Sequence, residues 1–369
     1  MTDVVYDAAT LVTQLVGDRA DGWDRDGRLP AQLVRRLAAR GLLCAQLPTV
    51  YGGMGLSSMQ NGELTAHVGS LCSSLRSLMT SQGMAAWTVQ RFGDAQQRMA
   101  YLAQLTSGSL AGVAFSEPSA GSDLSAITTS IHAYGDTFVV EGEKVWVTGG
   151  DYADLLVVFG RYANGVAAVV VPVDAPGVTI RRVSDPLGCR AAGHADVRFD
   201  TVRLPADALL GGAGLPMEFL ITAALTYGRL SVAWGCVGIM RACLKATTRH
   251  ASSRKQSGKP LADHQLVARH LAELLVAEQA ATRCCEDASR CWDCGSAELG
   301  AAVMVAKHFA AGSAARCAAA AVQVLAGAGA IDGHPVARAY RDAKLMEIIE
   351  GSNEICQLLL SKHALTVWS

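Results

Sequence analysis

The sequence predicts a mainly α-helical protein with a β domain in the middle of the chain. Apolar residues recur at three- and four-residue spacing through residues 1 to about 110 and again after Pro216, a pattern typical of packed helices. Between about 111 and 213, short β-rich runs alternate with turn signals such as Gly135-Asp136 and Asn164-Gly165. Half of the 369 residues are hydrophobic, which predicts a large buried core. We therefore predict an N-terminal helical domain (1–110), a middle β domain (111–213) and a C-terminal helical bundle (214–369).

Charge and composition restrict the partners and the compartment. The 32 basic and 33 acidic residues leave no basic excess for a nucleic-acid surface, so small molecules or other proteins are the expected partners. The N-terminus lacks the basic segment and apolar stretch of an export signal, and no run approaches about 18 uninterrupted apolar residues. These features predict a soluble, cytoplasmic protein whose 11 cysteines are buried or free thiols rather than disulfides.

Each region divides into elements at its turns. The helical pattern of the first region is clearest over residues 29–43 and 77–91, with turns at Gly41, Gly52-Gly53 and Gly93-Asp94. The middle region suggests a small antiparallel barrel or sandwich, with strands at residues 137–140, 144–148, 155–159, 167–172 and 178–183. The last region predicts long amphipathic helices over about 217–252, 262–292, 296–328, 336–349 and 353–364.

Two segments of the β region combine residues that suit a planar polar ligand. Residues 115–123 crowd glycine, proline and hydroxyl side chains into one loop, which can bring backbone N–H groups close to a ligand. Residues 144–150 form a strand ending in a glycine turn, where alternation puts Trp146 and Thr148 on the same face. Taken singly, the loop also fits an ordinary capped turn and Trp146 a core tryptophan.

Two further segments carry residue types that bind phosphate or metal ions elsewhere. Residues 254–261 and the following His264-Gln265 place cations and amides between two long helices, and such groups suit phosphate oxygens. A solvated interhelical loop has much the same composition. The lone CxxC of Cys291 and Cys294 lacks a second ligand pair nearby, so we interpret it as structural and predict no metal site.

A candidate general base stands at a predicted helix break near the C-terminus. Gly351 is placed to end one helix, and Ser352 or Asn353 to cap the next. Glu350 follows two isoleucines, and an apolar setting raises the pKa of a carboxyl group toward neutrality, as a base working near pH 7 requires. Without the other segments, a surface glutamate fits the same pattern.

Taken together and in this order, these segments resemble the acyl-CoA dehydrogenase family over nearly the whole chain. The resemblance implies an N-terminal helical domain, a β barrel or sandwich and a C-terminal four-helix bundle, with FAD bound in a homodimer or homotetramer. By position, the residues that would bind FAD are Phe115, Ser116, Gly121, Ser122, Trp146, Thr148, Gln323, Val324, Leu325, Ala326, Gly327, Ser352, Asn353 and Glu354. Those that would reach the FAD of a neighbouring subunit are Arg254, Lys255, Gln256, His264 and Gln265.

The same resemblance assigns the chemistry. Glu350, in a Glu-Gly-Ser context, falls on the family's catalytic glutamate. That base removes a proton next to a thioester carbonyl while a hydride passes from the β carbon to the flavin. Ser122, Arg229 and Gly351 would lie at the substrate, with Arg229 behind the base.

Departures from the family pattern and closer likenesses point to a specialised branch. Ser257 replaces the phenylalanine of the interhelical loop, which weakens one implied subunit contact to the flavin. No acidic residue precedes Arg229, where Thr226 and Tyr227 stand, and this argues against ordinary CoA recognition. Residues 69–83, 188–196 and 231–238 resemble members that help make methoxymalonyl-type polyketide extender units. The resemblance implies a three-carbon substrate on an acyl carrier protein. Its C3 aldehyde hydrate, in a 2-hydroxy-3-oxopropionyl thioester, would be oxidised toward a hydroxymalonyl group.

Three alternatives remain open at this point. A conventional short-chain acyl-CoA dehydrogenase would use the same residues for α,β-dehydrogenation of a CoA thioester, and an oxidase would pass its electrons to oxygen. A helical assembly protein would keep the fold without catalysis. The electron acceptor is not indicated. Arg181, Arg182, Arg190 and Arg198 are candidate contacts for an acidic carrier protein, although arginines on an exposed strand face are more often simply solvated.

Overall fold

The computed structural model describes residues 3–369, except for the side chains of residues 3, 212–215, 217 and 218. Its first part is helical. Three short turns join the helices, at Leu42–Cys44, Thr49–Tyr51 and Arg98–Leu102. The helices are α1 (Asp3–Val16), α2 (Ala20–Asp26), α3 (Ala31–Ala38), α4 (Ser58–Leu71), α5 (Ser73–Phe92), α6 (Ala95–Gln97) and α7 (Ala103–Thr106).

The helix expected over residues 29–43 is shorter than predicted. It is α3, which ends at Ala38 because Gly41 adopts a left-handed φ of +70° and the chain turns into a short 3₁₀ segment. The helix expected over residues 77–91 is confirmed as part of α5. In α5 nearly every residue from Ser73 to Val89 is buried, so this helix runs through the interior and touches both other parts of the chain.

The middle part is one eight-stranded sheet. It follows the order β6-β7-β3-β2-β4-β5-β8, with β1 placed beside β4. The expectation of a purely antiparallel sheet was wrong in one respect, because β1 pairs with β4 in parallel and β2 meets β4 in parallel at Ser130 and Arg161. The strands are β1 (Ala111–Ala114), β2 (Ser130–Tyr134), β3 (Thr137–Val147), β4 (Leu155–Tyr162), β5 (Gly165–Pro172), β6 (Val178–Arg182), β7 (Ala195–Pro205) and β8 (Leu209–Leu215).

Two predicted strands, at residues 137–140 and 144–148, are a single strand in the structure. The pairing of β3 with β7 shifts register between Val140 and Gly142 and again between Lys144 and Val147. Such irregularities bend a strand and redirect its side chains. The second of them lies at Trp146, where the sequence placed a ligand-binding aromatic residue.

The last part is an all-helical bundle closed by a small hairpin. Helices α8, α9 and α10 share an alanine-rich core with the fully buried Trp234, and small side chains allow this close packing. The helices are α8 (Met217–Ser253), α9 (Gln265–Asp293), α10 (Leu299–Leu325), α11 (Pro335–Met346) and α12 (Asn353–Trp368). The hairpin joins α8 to α9 and consists of β9 (Lys255–Gln256) and β10 (Lys259–Pro260).

Two helical segments, Phe219–Ser253 and Leu299–Ala330, are long and apolar enough to cross a membrane by length and composition alone. Their most apolar windows are 78% and 50% buried inside the protein, and the core helices of soluble proteins pass the same test. This finding is weak evidence for a membrane span.

Candidate active site

Glu350 lies at a break between two helices, as predicted. Helix α11 ends at Met346, and Glu350 and Gly351 both adopt left-handed backbone angles, with φ of +57° and +89°. The left-handed region is uncommon for a residue with a Cβ, so the surrounding contacts must hold Glu350 in it. Ser352 then caps α12 by accepting a hydrogen bond from the Ile355 N–H at 3.4 Å.

The Glu350 carboxyl group points into the protein, where it has little solvent. Its Oε2 atom is buried and has no hydrogen-bond partner among the described residues. A Cβ built on Gly228 would lie 2.4 Å from this Oε2 and 2.6 Å from the Met84 sulfur, so α8 and α5 enclose the group. Burial raises the pKa of Glu350 to about 7, although nearby cations oppose the shift.

The apolar setting therefore differs from the one that the sequence suggested. Ile348 is 54% exposed and Ile349 packs against the helical core, whereas Met84 and the absence of a side chain at Gly228 enclose the carboxyl group. Both residues are more than 120 positions away from Glu350 in sequence.

Two buried cations hold the backbone on either side of the base. The Nε of Arg229, itself only 8% exposed, donates to the Glu350 carbonyl oxygen at 3.0 Å, so the predicted position of Arg229 beside the base agrees with the geometry. Lys307, which the sequence did not indicate, donates from Nζ to the Gly351 carbonyl at 2.6 Å and lies 3.5 Å from Asn353 Oδ1. Charge-assisted hydrogen bonds of this kind fix the unusual loop conformation.

Trp146 and Thr148 lie at the end of β3. Trp146 is 52% exposed although it is a large aromatic residue, and its φ of +57° places it at the strand irregularity rather than in a regular alternation. The Thr148 hydroxyl lies 3.2 Å from His194 Nδ1, and the His194 ring meets Trp146 edge-on at 5.7 Å. Burial, reinforced by the positive charge of Arg76, lowers the pKa of His194 to about 4, so this ring is neutral at pH 7.

Helix α5 brings this strand end and the base to one place. The Ser81 hydroxyl donates to the Thr148 carbonyl at 2.8 Å, whereas Met84, three residues later, contacts the Glu350 side. Residues at this spacing lie about 5–6 Å apart on the same helix face. We therefore infer that the exposed indole, the Thr148 hydroxyl and the buried carboxyl group border one cleft beside α5.

The loop at residues 115–123 is anchored by a buried ion pair. Lys144 Nζ donates to Glu117 Oε1 at 2.8 Å and to the Phe115 carbonyl at 2.9 Å, and both charged side chains are at most 1% exposed. Burial alone would raise the pKa of Glu117, but hydrogen bonds from Lys144, Thr128 and Thr129 hold that pKa at about 2. The Val145 N–H also donates to the Ser116 carbonyl at 2.8 Å, which ties this loop to the strand that carries Trp146.

The other predicted residues lie in different surroundings. Gly121 and Ser122 are exposed beyond the anchored part of the loop, whereas Val324 is 7% exposed and packs inside the bundle. The remaining predicted contacts of FAD or of a neighbouring subunit's FAD that are exposed in the single chain are Arg254, Lys255, Gln256, Gln265, Gln323, Ala326, Gly327 and Glu354. Ser257, at φ +51°, and Gly258, at φ +80°, form the two-residue turn of the hairpin.

These residues fit a flavin. An isoalloxazine ring is planar, apolar on its faces and polar at its edges, and the half-exposed Trp146 indole and the Thr148 hydroxyl offer matching surfaces. The buried Nε2 of His194 has no partner among the described residues, so a polar group remains to be satisfied beside this strand end. The cleft thus provides an aromatic face, polar groups and a carboxyl group held near neutral pKa.

Comparison with protein families identifies the chain. Three models match it in sequence order: the acyl-CoA dehydrogenase N-terminal domain at residues 4–109, the middle domain at 112–202 and the C-terminal domain at 218–365. The chain belongs to the acyl-CoA dehydrogenase family. It is thus an FAD-dependent oxidoreductase, and the predicted fold class and cofactor are confirmed.

Individual relatives of this acyl-CoA dehydrogenase cover nearly its full length. The human mitochondrial short-chain specific acyl-CoA dehydrogenase is 31% identical over 93% of this chain and 84% of the human protein. The solved structure of butyryl-CoA dehydrogenase from Megasphaera elsdenii is 26% identical, with a TM-score of 0.94 over 99% of both chains. The solved structure of FkbI, a protein for biosynthesis of the methoxymalonyl extender unit of the FK520 polyketide immunosuppressant, is 60% identical, with a TM-score of 0.93 over 97% of this chain and 99% of FkbI.

Two motifs outside the cleft have structural explanations. The Asp293 carboxylate of the CxxC segment accepts from the Ser58 and Met59 N–H groups at 2.6 and 3.2 Å and so caps α4 of this dehydrogenase. The four arginines considered for carrier contact each pair with an aspartate of the same chain, so they do not form a free cationic patch. The pairs are Arg181–Asp196, Arg182–Asp151, Arg190–Asp332 and Arg198–Asp200.

Proposed function

We propose that this acyl-CoA dehydrogenase oxidises a three-carbon acyl group carried as a thioester on an acyl carrier protein. The substrate is the C3 aldehyde hydrate of a 2-hydroxy-3-oxopropionyl thioester, and the product is a hydroxymalonyl thioester, the precursor of a methoxymalonyl-type polyketide extender unit. The observation that carries the proposal is the 60% identity to FkbI over 97% of the chain. The retained carboxyl base, with a pKa of about 7, provides the required chemistry.

The proposed step balances in atoms and electrons. The hydrate carbon, which bears one hydrogen and two hydroxyl groups, loses that hydrogen as a hydride, and one hydroxyl loses its proton. FAD, when bound, accepts the hydride and its two electrons. Glu350 accepts the proton, and C3 becomes a carboxylic acid that ionises to a carboxylate. Arg229 and Lys307 position the base through the carbonyl groups of Glu350 and Gly351.

The rate of flavin reduction should follow the ionisation of Glu350. The raised pKa means that the base is mostly protonated, and therefore inactive, below pH 7. We expect the first-order reduction rate to fall about tenfold per pH unit below about pH 7 and to level off above it. Anaerobic stopped-flow measurements at saturating substrate between pH 5.5 and 9 test this. A rate that is flat across this range, or that rises toward acid, would rule out Glu350 as the titrating base.

The substrate assignment is tested by anaerobic flavin reduction with a matched panel. The proposed hydrate is presented on a carrier protein and on CoA, and butyryl-CoA serves as the conventional short-chain substrate. Fast bleaching by the carrier-bound hydrate and slow bleaching by butyryl-CoA would support the proposal. Fast bleaching by butyryl-CoA and slow bleaching by the carrier-bound hydrate would favour the alternative, a conventional short-chain acyl-CoA dehydrogenase. The 31% identity to the human short-chain enzyme is the observation that supports this alternative. Peroxide release during aerobic turnover would identify an oxidase.

We also propose a cytoplasmic homo-oligomer whose FAD site is completed by a second subunit. The exposed polar residues of the hairpin, Arg254 and Gln256, would then reach the neighbouring cofactor. Support comes from large apolar side chains that are exposed on the bundle, namely Leu266, Leu275, Val276, Val305, Phe309, Leu358, Leu359, Leu365, Val367 and Trp368. We propose in addition the domain limits 1–110, 111–213 and 214–369, and we propose that the FAD-binding residues named from the sequence contact the cofactor.

A further inference from the structure

A buried arginine without an acidic partner lies below the base. Arg76 of α5 is 1% exposed, yet no carboxylate with a described side-chain position pairs with it. Its Nη1 donates to Thr80 Oγ1 at 3.1 Å and its Nη2 to the Met346 sulfur at 3.0 Å, while Nε is buried and has no partner among the described residues. Burying a charge is unfavourable unless it is paired, so this guanidinium is poised for an anionic or strongly polar ligand.

Arg76 lies on a line of polar groups that starts at the base. At the top, the Glu350 carboxyl group fills the space above Gly228. One helical turn deeper, the hydroxyls of Thr80 and Ser231 lie 2.7 Å apart, both nearly fully buried. At the next turn the Arg76 side chain fills the space above Gly235, where a Cβ would lie 2.7 Å from Arg76 Cδ.

The spacing of these groups restricts the length of a ligand. Gly228 and Gly235 are two turns apart on the same face of α8, about 10 Å along the helix axis. The arginine side chain reaches back toward the base, since its Nη1 contacts Thr80. An acyl group that meets Glu350 therefore lies within a few carbon–carbon bond lengths of hydroxyl and guanidinium groups.

The charge of Arg76 acts on both sides of the cleft. It is one of the cations that limit the rise of the Glu350 pKa, together with Arg229 and Lys307. It also contributes to the lowered pKa of His194, whose ring contacts Thr148 at the strand end. The charge of Arg76 is thus within electrostatic range of both the base and the strand end, and its hydrogen bond to Thr80 places it one turn of α5 before Met84.

We propose that Arg76, assisted by Thr80 and Ser231, is a specificity-determining residue that binds oxygen atoms at the far end of a short acyl thioester. This inference rests on the proposed function and names the groups that recognise its substrate. The hydrate hydroxyls accept hydrogen bonds from the guanidinium and form hydrogen bonds with the Thr80 and Ser231 hydroxyls, which can both donate and accept. The product carboxylate forms charge-assisted hydrogen bonds with the guanidinium. An alkyl tail would leave these buried groups unpaired, which disfavours ordinary fatty acyl chains.

The test compares two probes that differ at their far end. Malonyl-pantetheine ends in a carboxylate and butyryl-pantetheine in a methyl group. Dissociation constants are measured on the FAD-loaded protein by flavin absorbance changes and by calorimetry. We expect the unaltered protein to prefer the malonyl probe, and Arg76→Met to weaken its binding roughly 10- to 100-fold, the size expected for hydrogen bonds to a charged group, while butyryl binding stays equal or improves. Arg76→Lys should retain part of the malonyl affinity.

Equal losses for both probes, or no loss for the malonyl probe, would overturn the inference. FAD content and the unfolding temperature report whether each variant folds. If Arg76→Met does not fold, Thr80→Val and Ser231→Ala decide, since each should weaken the malonyl probe and not the butyryl probe. The outcome is separable from the proposed function. Arg76-dependent malonyl binding without reduction by the carrier-bound hydrate would keep the inference and reject the function, whereas fast reduction that Arg76→Met leaves unchanged would do the opposite.

Discussion

Glu350→Gln is expected to bind FAD normally and to lose flavin reduction by substrate, with a rate at least about 10³-fold below that of the unaltered enzyme. The amide keeps the size of the side chain but cannot accept a proton, and its surroundings, Gly228 and Met84, offer no substitute base. Single-turnover reduction under anaerobic conditions measures the effect. The matched control is Glu286→Gln, a partly buried carboxylate on α9 that pairs with Arg283 and should leave the rate unchanged. Near-normal reduction in Glu350→Gln would place the base elsewhere.

The same substitution should stabilise the folded protein at alkaline pH. Because burial raises the pKa of Glu350 from its ordinary value near 4.5 to about 7, the unfolded chain releases this proton at lower pH than the folded one. The wild-type carboxyl group therefore destabilises the fold increasingly from about pH 4.5 to 7, and by roughly 3 kcal/mol above that range. We expect Glu350→Gln to unfold at higher denaturant concentration than wild type at pH 8 and at a similar one at pH 4.5. A difference that does not change with pH would contradict this.

Glu117→Gln is expected to lower the free energy of unfolding by about 3–5 kcal/mol, because it leaves the Lys144 ammonium buried without a counter-charge. Burial already lowers the pKa of Lys144 to about 8, and loss of the carboxylate would lower it further. The loop that begins at Phe115 should loosen as well, since Lys144 holds the Phe115 carbonyl at 2.9 Å. Chemical denaturation gives the stability, and dialysis followed by absorbance gives the FAD retained.

The surface ion pair Arg283–Glu286 on α9 provides the comparison for the stability loss in Glu117→Gln. Arg283→Met removes a partner of Glu286 on the surface of α9 and should leave the free energy of unfolding nearly unchanged, because solvent screens exposed charges. The double variant Glu117→Gln with Lys144→Met removes both buried charges and should recover part of the lost stability. A loss below about 1 kcal/mol in Glu117→Gln alone would mean that the pair is not important for the fold.

The sequence was most informative where function depends on local order. The helix break at Glu350, the cap at Ser352 and the glycine turn after Thr148 follow from residue types that lie next to one another. Strands β1, β2, β7 and β8 were not predicted, although β7 alternates between buried and exposed residues over much of its length. Helices of the bundle begin or end up to four residues from the predicted positions, because helix ends fray and residue propensities do not fix them.

The groups missed by sequence analysis have partners that are far away along the chain. Lys307 stands alone in the alanine-rich helix α10 and acquires its role only when it reaches Gly351. Arg76 belongs to a segment that resembles one branch of the family, but its burial and its missing counter-ion become visible only when α5 packs against α8. His194 likewise depends on the end of another strand. Pairings of this kind cannot be inferred from spacing.

Helix α5 touches the strand end through Ser81, the base through Met84 and the distal site through Arg76. One rigid helix thus sets the distances between these three points, because each residue advances 1.5 Å along the axis of an α-helix. The acyl length that this enzyme accepts would then be changed by exchanging a side chain of α5 rather than by moving a loop. Relatives with longer substrates would be expected to carry small apolar residues at the positions of Arg76 and Thr80, while the rest of α5 stays the same.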